Sequence, residues 1–307
     1  MSILVISYNQ QDLIFETVES CLGQTYKNIQ IVVSDDGSSD RTPEILRELK
    51  ERYPERIKLV LNPKNSGITA NCNIGLAACD GEFVALMGGD DLLLPQKVEL
   101  QVHAFMDDPE LVLSYHPCDV SVDNRVVDKV GHRDKDLVSG LIDMIGKFEA
   151  QLPGPATMVR ASAVPEDGFD SSIPTASDWL FFIDVSSRGR VSRLNETLAI
   201  YRQHGGNVGH RYFDYSGDFI RTIEIAGRRY GHIDGVASAA KRGARRFLLG
   251  IIYRSISQGE LKRARVYTAQ LPQYASWMLG VGIYLITYIP GAGGMFRLAK
   301  SFLKRYV

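Results

Sequence analysis

The sequence predicts an α/β fold, with a mostly parallel central sheet and helices on its faces. Two observations carry this prediction. Over residues 1–105, short apolar runs rich in β-branched residues alternate with segments of helical periodicity. The apolar runs also end in polar residues and turn signals. Strands that alternate with helices pair in parallel through right-handed crossovers, and the functional crevice of such a sheet lies beyond the carboxyl ends of its strands.

The elements are predicted in chain order. Ile3–Ser7 is the first strand, and the helix after it has Asp12 as its cap. The helix after the second strand has Thr42 as its N-cap and Pro43 at its first helical position. Strands are further predicted over residues 29–37, 57–63, 83–89, 111–122 and 190–204, helices over residues 66–79, 95–105 and 176–189, and a charged, turn-rich connection over residues 128–136.

Charge is divided unevenly along the chain. Residues 1–209 carry 19 Lys and Arg against 31 Asp and Glu, whereas residues 210–307 carry 16 against 5, although the net charge is only −1. An acidic front and a basic tail indicate two tasks, and the tail suits an anionic surface, either membrane or nucleic acid. Nucleic acid is not expected as the partner, because no recognition motif accompanies the charge.

The cysteines predict a protein with reduced thiols. They stand at positions 21, 72, 79 and 118, without the spacing of a metal site. Reduced core thiols are typical of cytosolic proteins. The opening run MSILVISYN has no charged region before its short apolar stretch, so it does not resemble a signal peptide. These features predict a cytoplasmic location.

Acidic pairs follow two of the predicted strands. Asp35 and Asp36 end the second strand, and Asp90 and Asp91 end the fourth. Adjacent carboxylates repel each other and are costly to bury, and a divalent cation such as Mg²⁺ prefers carboxylate oxygens together with substrate phosphates. A solvated turn or a helix cap also explains each pair taken alone. Their position at neighbouring strand ends favours one shared site.

Four segments carry a resemblance to a known family. They are SYNQQDLIFETVESCLGQTYKNIQIVVSDDGSSDRT (residues 7–42), NSGITANCNIGLAACDGEFVALMGGDDLLLP (65–95), SDW (177–179) and YRQHGGN (201–207). Their order and spacing resemble the family 2 glycosyltransferases of the GT-A fold. The resemblance implies a Rossmann-like GT-A catalytic domain over residues 1–208, and the composition adds a basic, helical tail over residues 209–307.

The resemblance implies how a nucleotide is held. Tyr8 lies against the base, and Asp36 accepts a hydrogen bond from a base N–H. An ionised carboxylate only accepts, which suits the imide of uracil or thymine. Asn65 and Asn71 match a segment that flanks the donor, although a loop followed by a helix cap explains them equally. The implied donor is a nucleotide diphosphate sugar, and we expect a UDP-sugar.

The resemblance also implies a divalent metal, Mg²⁺ or Mn²⁺. The family's motif is usually D-x-D, but its first position is Gly88 here. Asp90 is therefore the expected metal ligand, and Asp91 supports it or binds the sugar. His204 lies in a segment that the family places near the diphosphate, so it is a metal or phosphate contact, or a structural histidine. Arg202 pairs with phosphate, or is a surface charge.

Asp178 is the expected catalytic residue. In the family, a carboxylate at the start of a later helix takes the proton of the acceptor. The SDW segment puts Asp178 there, with Ser177 in place of the usual Glu. As a general base it would deprotonate the attacking hydroxyl, while a metal would stabilise the negative charge that grows on the diphosphate. The alternative is that Asp178 only caps the following helix.

The tail contains a long uncharged run. No charged residue occurs from Val266 to Phe296, and basic residues flank the run. Its apolar part is barely long enough to span a membrane, and its prolines, glutamines and glycines argue against a span. Trp277 and the tyrosines are typical of a membrane interface, and residues 295–307 show the pattern of an interfacial helix. We expect a peripheral position on the inner face of the cell membrane. A subdomain packed on the catalytic core or on another subunit is the alternative.

These observations predict an inverting, metal-dependent glycosyltransferase of cell-surface polysaccharide synthesis. It would transfer a sugar from a nucleotide diphosphate donor to a hydroxyl of a saccharide or lipid-linked acceptor. Two other classes stay open: a sugar-nucleotide nucleotidyltransferase, and a non-catalytic nucleotide- or saccharide-binding module. The first normally has a glycine-rich phosphate loop with a basic residue after its first strand, and SYNQQD has neither.

Overall fold

The structure is a computed structural model that describes residues 1–133, 137–147, 152–205, 213 and 215–288. The chain divides into two compact units. The first comprises Met1–Met144 and Ala150–Thr222, and the second comprises Ile145–Glu149 and Ile223–Val307. The boundary that we placed after residue 208 lies ahead of this division, because the first half of a helix that begins at Ser216 belongs to the first unit.

Eleven strands and seven α-helices lie in the described part of the first unit or begin there. The strands are β1 (Ser2–Ser7), β2 (Gln30–Asp35), β3 (Ile57–Leu61), β4 (Phe83–Gly88), β5 (Leu92–Leu93), β6 (Leu111–Tyr115), β7 (Cys118–Val122), β8 (Arg125–Val130), β9 (Met158–Arg160), β10 (Arg190–Arg193) and β11 (Ala199–Gln203). The helices are α1 (Ile14–Leu22), α2 (Thr42–Arg52), α3 (Ile68–Ala77), α4 (Lys97–Asp107), α5 (Leu141–Gly146) and α6 (Asp178–Ser186). A seventh helix, α7 (Ser216–Arg229), continues into the second unit.

A seven-stranded sheet forms the centre of the first unit, in the order β3-β2-β1-β4-β9-β6-β10. Four of its six strand pairings are parallel: β1 with β2, β1 with β4, β2 with β3, and β6 with β10. The other two are antiparallel and join β9 to β4 and to β6. The predicted α/β architecture is confirmed. The central strands are buried almost throughout, as expected when helices cover both faces of a parallel sheet.

A second, four-stranded sheet has the order β5-β11-β7-β8. Its strand β11 pairs in parallel with β7 and antiparallel with the short strand β5, which directly follows Asp91. The two-residue pairing of β5 therefore ties the end of β4 to β11. This second sheet brings residues near position 200 to the edge where β4 ends.

Four local predictions were wrong. Asp12 does not cap α1, whose N-cap is Leu13, and Thr42 lies inside α2, where its Oγ1 accepts a hydrogen bond from Gln10 N. The single strand predicted over residues 111–122 is broken at His116 and Pro117, because a proline cannot continue the ladder. The connection predicted over residues 128–136 begins inside β8, an exposed hairpin strand whose side chains face solvent.

The described part of the second unit is helical, as predicted. Besides the end of α7 it contains α8 (Val236–Ser257), α9 (Leu261–Gln270) and α10 (Trp277–Ile286). Buried apolar residues of α8, such as Phe247, Leu248 and Ile251, form its core. Residues 289–307 lie outside the described residues, and they include residues 295–307, where we predicted an interfacial helix.

Candidate functional site

The predicted carboxylates lie at one edge of the central sheet. In the register of the sheet, Ser7 pairs with Asp35 on one side of β1, and Ile6 pairs with Gly88 on the other. The ladders continue one step further, since Asp36 N donates to Ser7 O at 2.9 Å and Gly89 N donates to Ile6 O at 2.8 Å. The turns that carry Asp36 and Asp90 therefore flank the carboxyl end of β1, each about 4.8 Å from it in the sheet.

The end of β1 is tied to the turn after β2. Asn9 adopts a left-handed conformation with φ of 53°, its N–H donates to Ser38 Oγ at 2.8 Å, and its Oδ1 accepts from Ser39 N at 2.9 Å. Tyr8, next to it, has 47% of its surface exposed. The predicted base-stacking residue thus stands open to solvent on a braced turn.

Asp36 is buried and holds a loop. Its Oδ1 accepts from Ser66 N at 2.8 Å and from Ser66 Oγ at 2.7 Å, and its Oδ2 accepts from Gly67 N at 2.9 Å. A carboxylate has about four acceptor directions, so one direction on Oδ2 is left for a ligand. Contact with a base stays a prediction, and it would have to use that direction.

Asn65 and Asn71, which we predicted as a pair, differ in their surroundings. Asn65 is exposed on the loop held by Asp36. Asn71 is 3% exposed, and its amide binds Ser34 Oγ, Ser34 O and Asn62 Nδ2 at 2.6–3.1 Å. This side chain fixes α3 to the end of β2, and its contact with the donor stays a prediction.

Asp90 and His204 meet at the edge of the sheet. Asp90 Oδ2 lies 3.0 Å from His204 Nε2, and both side chains are partly open, with 14% and 35% of their surfaces exposed. Two ligands at right angles, each about 2.1 Å from a Mg²⁺ or Mn²⁺, are separated by about 3.0 Å. The pair therefore fits two adjacent positions around such an ion. Among the described residues no three His, Cys, Asp or Glu side chains gather to hold a metal, so diphosphate and water oxygens would complete the shell.

Asp91 and Arg202 lie behind this pair. Asp91 is 3% exposed, and its Oδ1 accepts from Arg202 N at 3.0 Å. Burial, with the charge of Asp90 second, raises the pKa of Asp91 well above its usual value. Asp91 therefore lies behind the Asp90–His204 pair, and whether it supports the metal ligand or binds the sugar stays a prediction.

The alternative that Arg202 is a surface charge is wrong, and its contact with phosphate stays a prediction. Its side chain is 6% exposed, and its guanidinium donates to Glu16 Oε2 at 2.6 Å, to Thr17 Oγ1 at 3.1 Å and to the carbonyl of Asp90. Thr17 Oγ1 in turn bonds the carbonyls of Gly89 and Asp91 at 3.0 and 2.9 Å. Arg202 therefore braces the Asp90 turn against α1.

Asp178 is the first residue of α6. The helix N-cap is Ser177, and Asp178 Oδ1 accepts only from its neighbour Trp179 N at 2.9 Å among the contacts described. Its side chain reaches solvent, yet desolvation by the surrounding protein raises its pKa above the usual aspartate value. An accessible carboxyl with a raised pKa is suited to proton transfer.

Residues far apart in sequence position Asp178. The Ser177 and Thr69 hydroxyl oxygens are 2.7 Å apart in the buried contact between α6 and α3. Asp218, on α7, accepts from Thr175 N and Ala176 N at 3.2 and 3.1 Å and so fixes the turn before α6. No local pattern could point to Asp218, because that contact spans more than 40 residues.

Tyr201 is a site residue that sequence reasoning missed. Burial, followed by the charges of Asp91, Asp90 and Asp178, raises its pKa to about 12. Burial is the larger cause, and the charges of the Asp90 turn and of Asp178 both add to the shift in the pKa of this phenol. Side chains alternate along a strand, and this alternation on β11 could have shown that Tyr201 faces away from the buried Arg202.

Two glycines make room at the end of β4. A Cβ on Gly88, the position of the family's first Asp, would overlap Asp90 Oδ1. A Cβ on Gly89 would overlap Gln10 Oε1 and lie 2.9 Å from Ile14 Cδ1 and 3.0 Å from Ser7 Cβ. Asp90 Oδ1, beside Gly88, is the end of a side chain that can move, whereas Ile14 and Ser7, beside Gly89, belong to the packed core.

This difference predicts a split between two alanine variants. Gly88→Ala should displace the Asp90 carboxylate and lower kcat/KM about tenfold with little change in Tm, because a 1.4 kcal/mol loss of transition-state binding is tenfold. Gly89→Ala should cost about 1–3 kcal/mol of stability through overpacking. Thermal unfolding and initial rates of both variants test this. A Gly88→Ala protein with parental kinetics would contradict the assigned role of Asp90.

A recess of about 420 Å³ lies elsewhere, at the edge where β6 and β10 begin. It is lined by residues that include Glu110, Arg160 and Arg188. The Arg160 guanidinium is already bonded to the carbonyls of Leu111 and Phe105 at 3.0 Å. The Arg160 guanidinium is therefore already engaged and not available to bind an anion in this recess. The recess lies at the strand ends opposite to those that carry Asp36 and Asp90.

Comparison with known proteins gives a family match and several relatives. The family model "Glycosyl transferase family 2" matches residues 2–161. A putative glycosyltransferase, EpsE, of Bacillus subtilis is 30% identical over 237 residues, which cover 75% of this chain and 82% of EpsE. The Escherichia coli UDP-Glc:alpha-D-GlcNAc-diphosphoundecaprenol beta-1,3-glucosyltransferase WfaP is 36% identical over 115 residues, 38% of this chain and 44% of WfaP. An uncharacterised protein of Mycobacterium bovis is 30% identical across 72% of this chain, and the match spans 64% of that relative's length.

Solved structures share the fold. Residues 1–349 of TarS from S. aureus, in complex with UDP-GlcNAc, superpose with a TM-score of 0.66 at 18% identity, covering 97% of this chain and 91% of that one. The mannosyltransferase PcManGT from Pyrobaculum calidifontis, in complex with GDP-Man and Mn²⁺, gives a TM-score of 0.60 at 17% identity, covering 98% and 82%. At such identities the likeness shows the GT-A fold alone.

Proposed function

The chain belongs to glycosyl transferase family 2, and from that membership we propose that it transfers a sugar, with inversion, from a nucleotide diphosphate donor to a hydroxyl. The observation that carries the proposal is the position of Asp36 and Asp90 on either side of the carboxyl end of β1, with Asp90 Oδ2 3.0 Å from His204 Nε2. The turns after β2 and β4 would hold the nucleotide and its diphosphate, and Asp178, on α6, would supply the proton-accepting group.

The donor would lie across the end of β1. Tyr8 offers an exposed ring for the base, and Asp36 offers one remaining acceptor direction for a base N–H. An ionised carboxylate only accepts hydrogen bonds, which suits the imide N–H of uracil. We therefore propose a UDP-sugar. Complexes of TarS with UDP-GlcNAc and the name of WfaP, a UDP-Glc enzyme, support this choice.

Asp90 and His204 would hold a Mg²⁺ or Mn²⁺ between them. When bound, such an ion supplies positive charge to the departing diphosphate. The support comes from the 3.0 Å separation of the two side chains and from the Mn²⁺ in the PcManGT complex. Arg202 and Thr17 keep the Asp90 turn in place, so the ion's position is set by buried contacts.

Asp178 would act as the general base. Its carboxylate takes the proton of the acceptor hydroxyl while the hydroxyl oxygen bonds to the anomeric carbon and the carbon–oxygen bond to the diphosphate breaks. Attack from the side opposite the leaving group inverts the configuration. The raised pKa of Asp178 makes it a better proton acceptor than an ordinary aspartate.

The acceptor is proposed to be a saccharide, free or linked to a lipid carrier. WfaP is named for a diphosphoundecaprenol acceptor, which supports a place in cell-surface polysaccharide synthesis. This activity would belong to the cytoplasm, where nucleotide sugars are made. The nucleotidyltransferase class receives no support, since the turn after β1 is held by serine and asparagine contacts rather than by a basic phosphate loop.

A screen of nucleotide sugars tests the proposal without the unknown acceptor. We expect one UDP-sugar to bind in the presence of Mn²⁺, measured by calorimetry, and to be slowly hydrolysed to UDP. Chelation by EDTA should weaken binding at least about tenfold, a loss of roughly 1.4 kcal/mol. Equal binding of all nucleotides with and without metal, and no hydrolysis, would contradict the proposal and favour a binding module.

A further inference from the structure

Helix α10 is apolar on nearly every side and is open to solvent. Trp277 is 66% exposed, Met278 65% and Leu285 61%, and Gly280 is the buried residue of the helix. None of its residues carries a charge. Exposed apolar side chains that cluster in this way mark an interaction surface, whereas single ones do not.

Specific contacts hold α10 in this orientation. Gly280 packs against Pro272 so closely that an added Cβ would lie 3.2 Å from Pro272 Cγ. At the other end, Arg265 Nε and Nη2 donate to Thr287 Oγ1 and Thr287 O, each at 3.0 Å, and the guanidinium lies 3.8 Å above the Tyr288 ring. The helix is therefore anchored through its glycine and its last turn, and its large side chains are left outside.

The length of α10 argues against a transmembrane helix. Ten residues of helix are about 15 Å long, half of the hydrocarbon thickness of a bilayer. None of the helices in the described residues is long and apolar enough to cross a membrane. An apolar helix of this size with Trp and Tyr side chains fits the headgroup boundary instead, where amphipathic rings accumulate.

Charge indicates what kind of surface covers the helix. Between Ile223 and Tyr288 the chain has ten Lys and Arg against three acidic residues, and residues 289–307 add four basic residues and no acidic one. A polybasic segment next to an apolar helix attracts anionic lipids. A second copy of this same basic unit would be repelled, so the charge favours a lipid surface over self-association.

We propose that α10 docks on the surface of an anionic lipid bilayer, with Trp277, Met278 and Leu285 entering the headgroup boundary and the basic residues of the second unit facing the lipid charges. This inference goes beyond the proposed function and does not depend on it. Its test measures lipid binding and uses no transfer assay.

The test uses the full chain and two matched variants. Sedimentation with phosphatidylcholine vesicles is compared with sedimentation with vesicles that contain one quarter phosphatidylglycerol. We expect binding to the second kind, weakened by salt. Met278→Glu should reduce the partition coefficient at least about tenfold. It replaces an apolar side chain that enters the headgroup boundary with a carboxylate that the anionic lipids repel. Met106→Glu makes the same change on α4, at 66% exposure in the other unit, and should leave binding within twofold.

Three results would overturn the proposal. The first is no sedimentation of the parent with anionic vesicles. The second is an equal effect of Met278→Glu and Met106→Glu, which would mean that only net charge matters. The third is a large fall in Tm for Met278→Glu alone, or a dimer that this variant dissociates in the absence of lipid. These outcomes would show that residues 289–307 or a second copy cover the helix.

Discussion

Replacing Asp178 with Asn should lower the rate of sugar transfer at least about a hundredfold while donor binding is retained. Loss of a general base typically lowers kcat by about 10²–10⁴. Asn has the shape of Asp, and its Oδ1 can still accept from Trp179 N, as Asp178 does at 2.9 Å. The start of α6 should therefore stay in place, held by Thr69 and Asp218.

Initial rates of UDP release and donor affinity are measured on the same preparations. Asp167→Asn is a suitable control, because it removes the same charge from an exposed aspartate between β9 and α6. It should keep at least half of the parental activity. If Asp178→Asn retained a tenth or more of the parental kcat, or lost donor binding together with turnover, Asp178 would not be the base.

The pH dependence of kcat gives a second measure of the same residue. A base must be ionised to act, so activity falls as pH drops through its pKa. Because burial raises the pKa of Asp178, the acidic limb of the parent should lie above the ordinary aspartate value of about 3.9. The residual activity of Asp178→Asn should lack that limb. An acidic limb unchanged in the variant would have to be assigned to another group.

The sequence was sufficient to predict what depends on local pattern. Strands β1, β2 and β4 are short apolar runs, and acidic pairs end β2 and β4, so both the elements and the edge where Asp36 and Asp90 lie could be predicted. The helical tail could be predicted for the same reason. These features need only periodicity and the rule that parallel strands end at one edge.

The sequence was not sufficient where a side chain's direction depends on a distant segment. Arg202 looks like a phosphate ligand in YRQHGGN, but pairing of β11 with β5 and β7 turns it inward onto Glu16, 186 residues away. Asn71 looks like a donor contact, yet it faces Ser34. Burial and partner choice of this kind are set by tertiary packing, which no local pattern contains.

Replacing Lys97 with Met should change how stability depends on pH. Lys97 begins α4 with 0% of its surface exposed, and its Nζ donates to Gln101 Oε1 at 2.7 Å and Thr157 O at 3.2 Å, both uncharged. Burial lowers its pKa to about 7, against about 10.4 when unfolded. Between these values the unfolded chain binds a proton that the folded protein does not. Parental stability should therefore fall by about 1.4 kcal/mol for each unit that pH drops from 10.4 to 7, and no further below.

The difference between parent and Lys97→Met isolates this group. Met has a similar volume and no charge, although it leaves Gln101 Oε1 without its donor, a cost of about 1–3 kcal/mol. We expect the variant to exceed the parent by about 2 kcal/mol at pH 6 and to lose that advantage by about pH 8.5. Urea unfolding at each pH measures it.

The buried cysteines titrate in both proteins and cancel, and Lys64→Met, at an exposed lysine, should show no such trend. A constant difference between parent and Lys97→Met across this range would mean that Lys97 stays charged inside the fold, and the uncharged oxygens around its Nζ could not account for that.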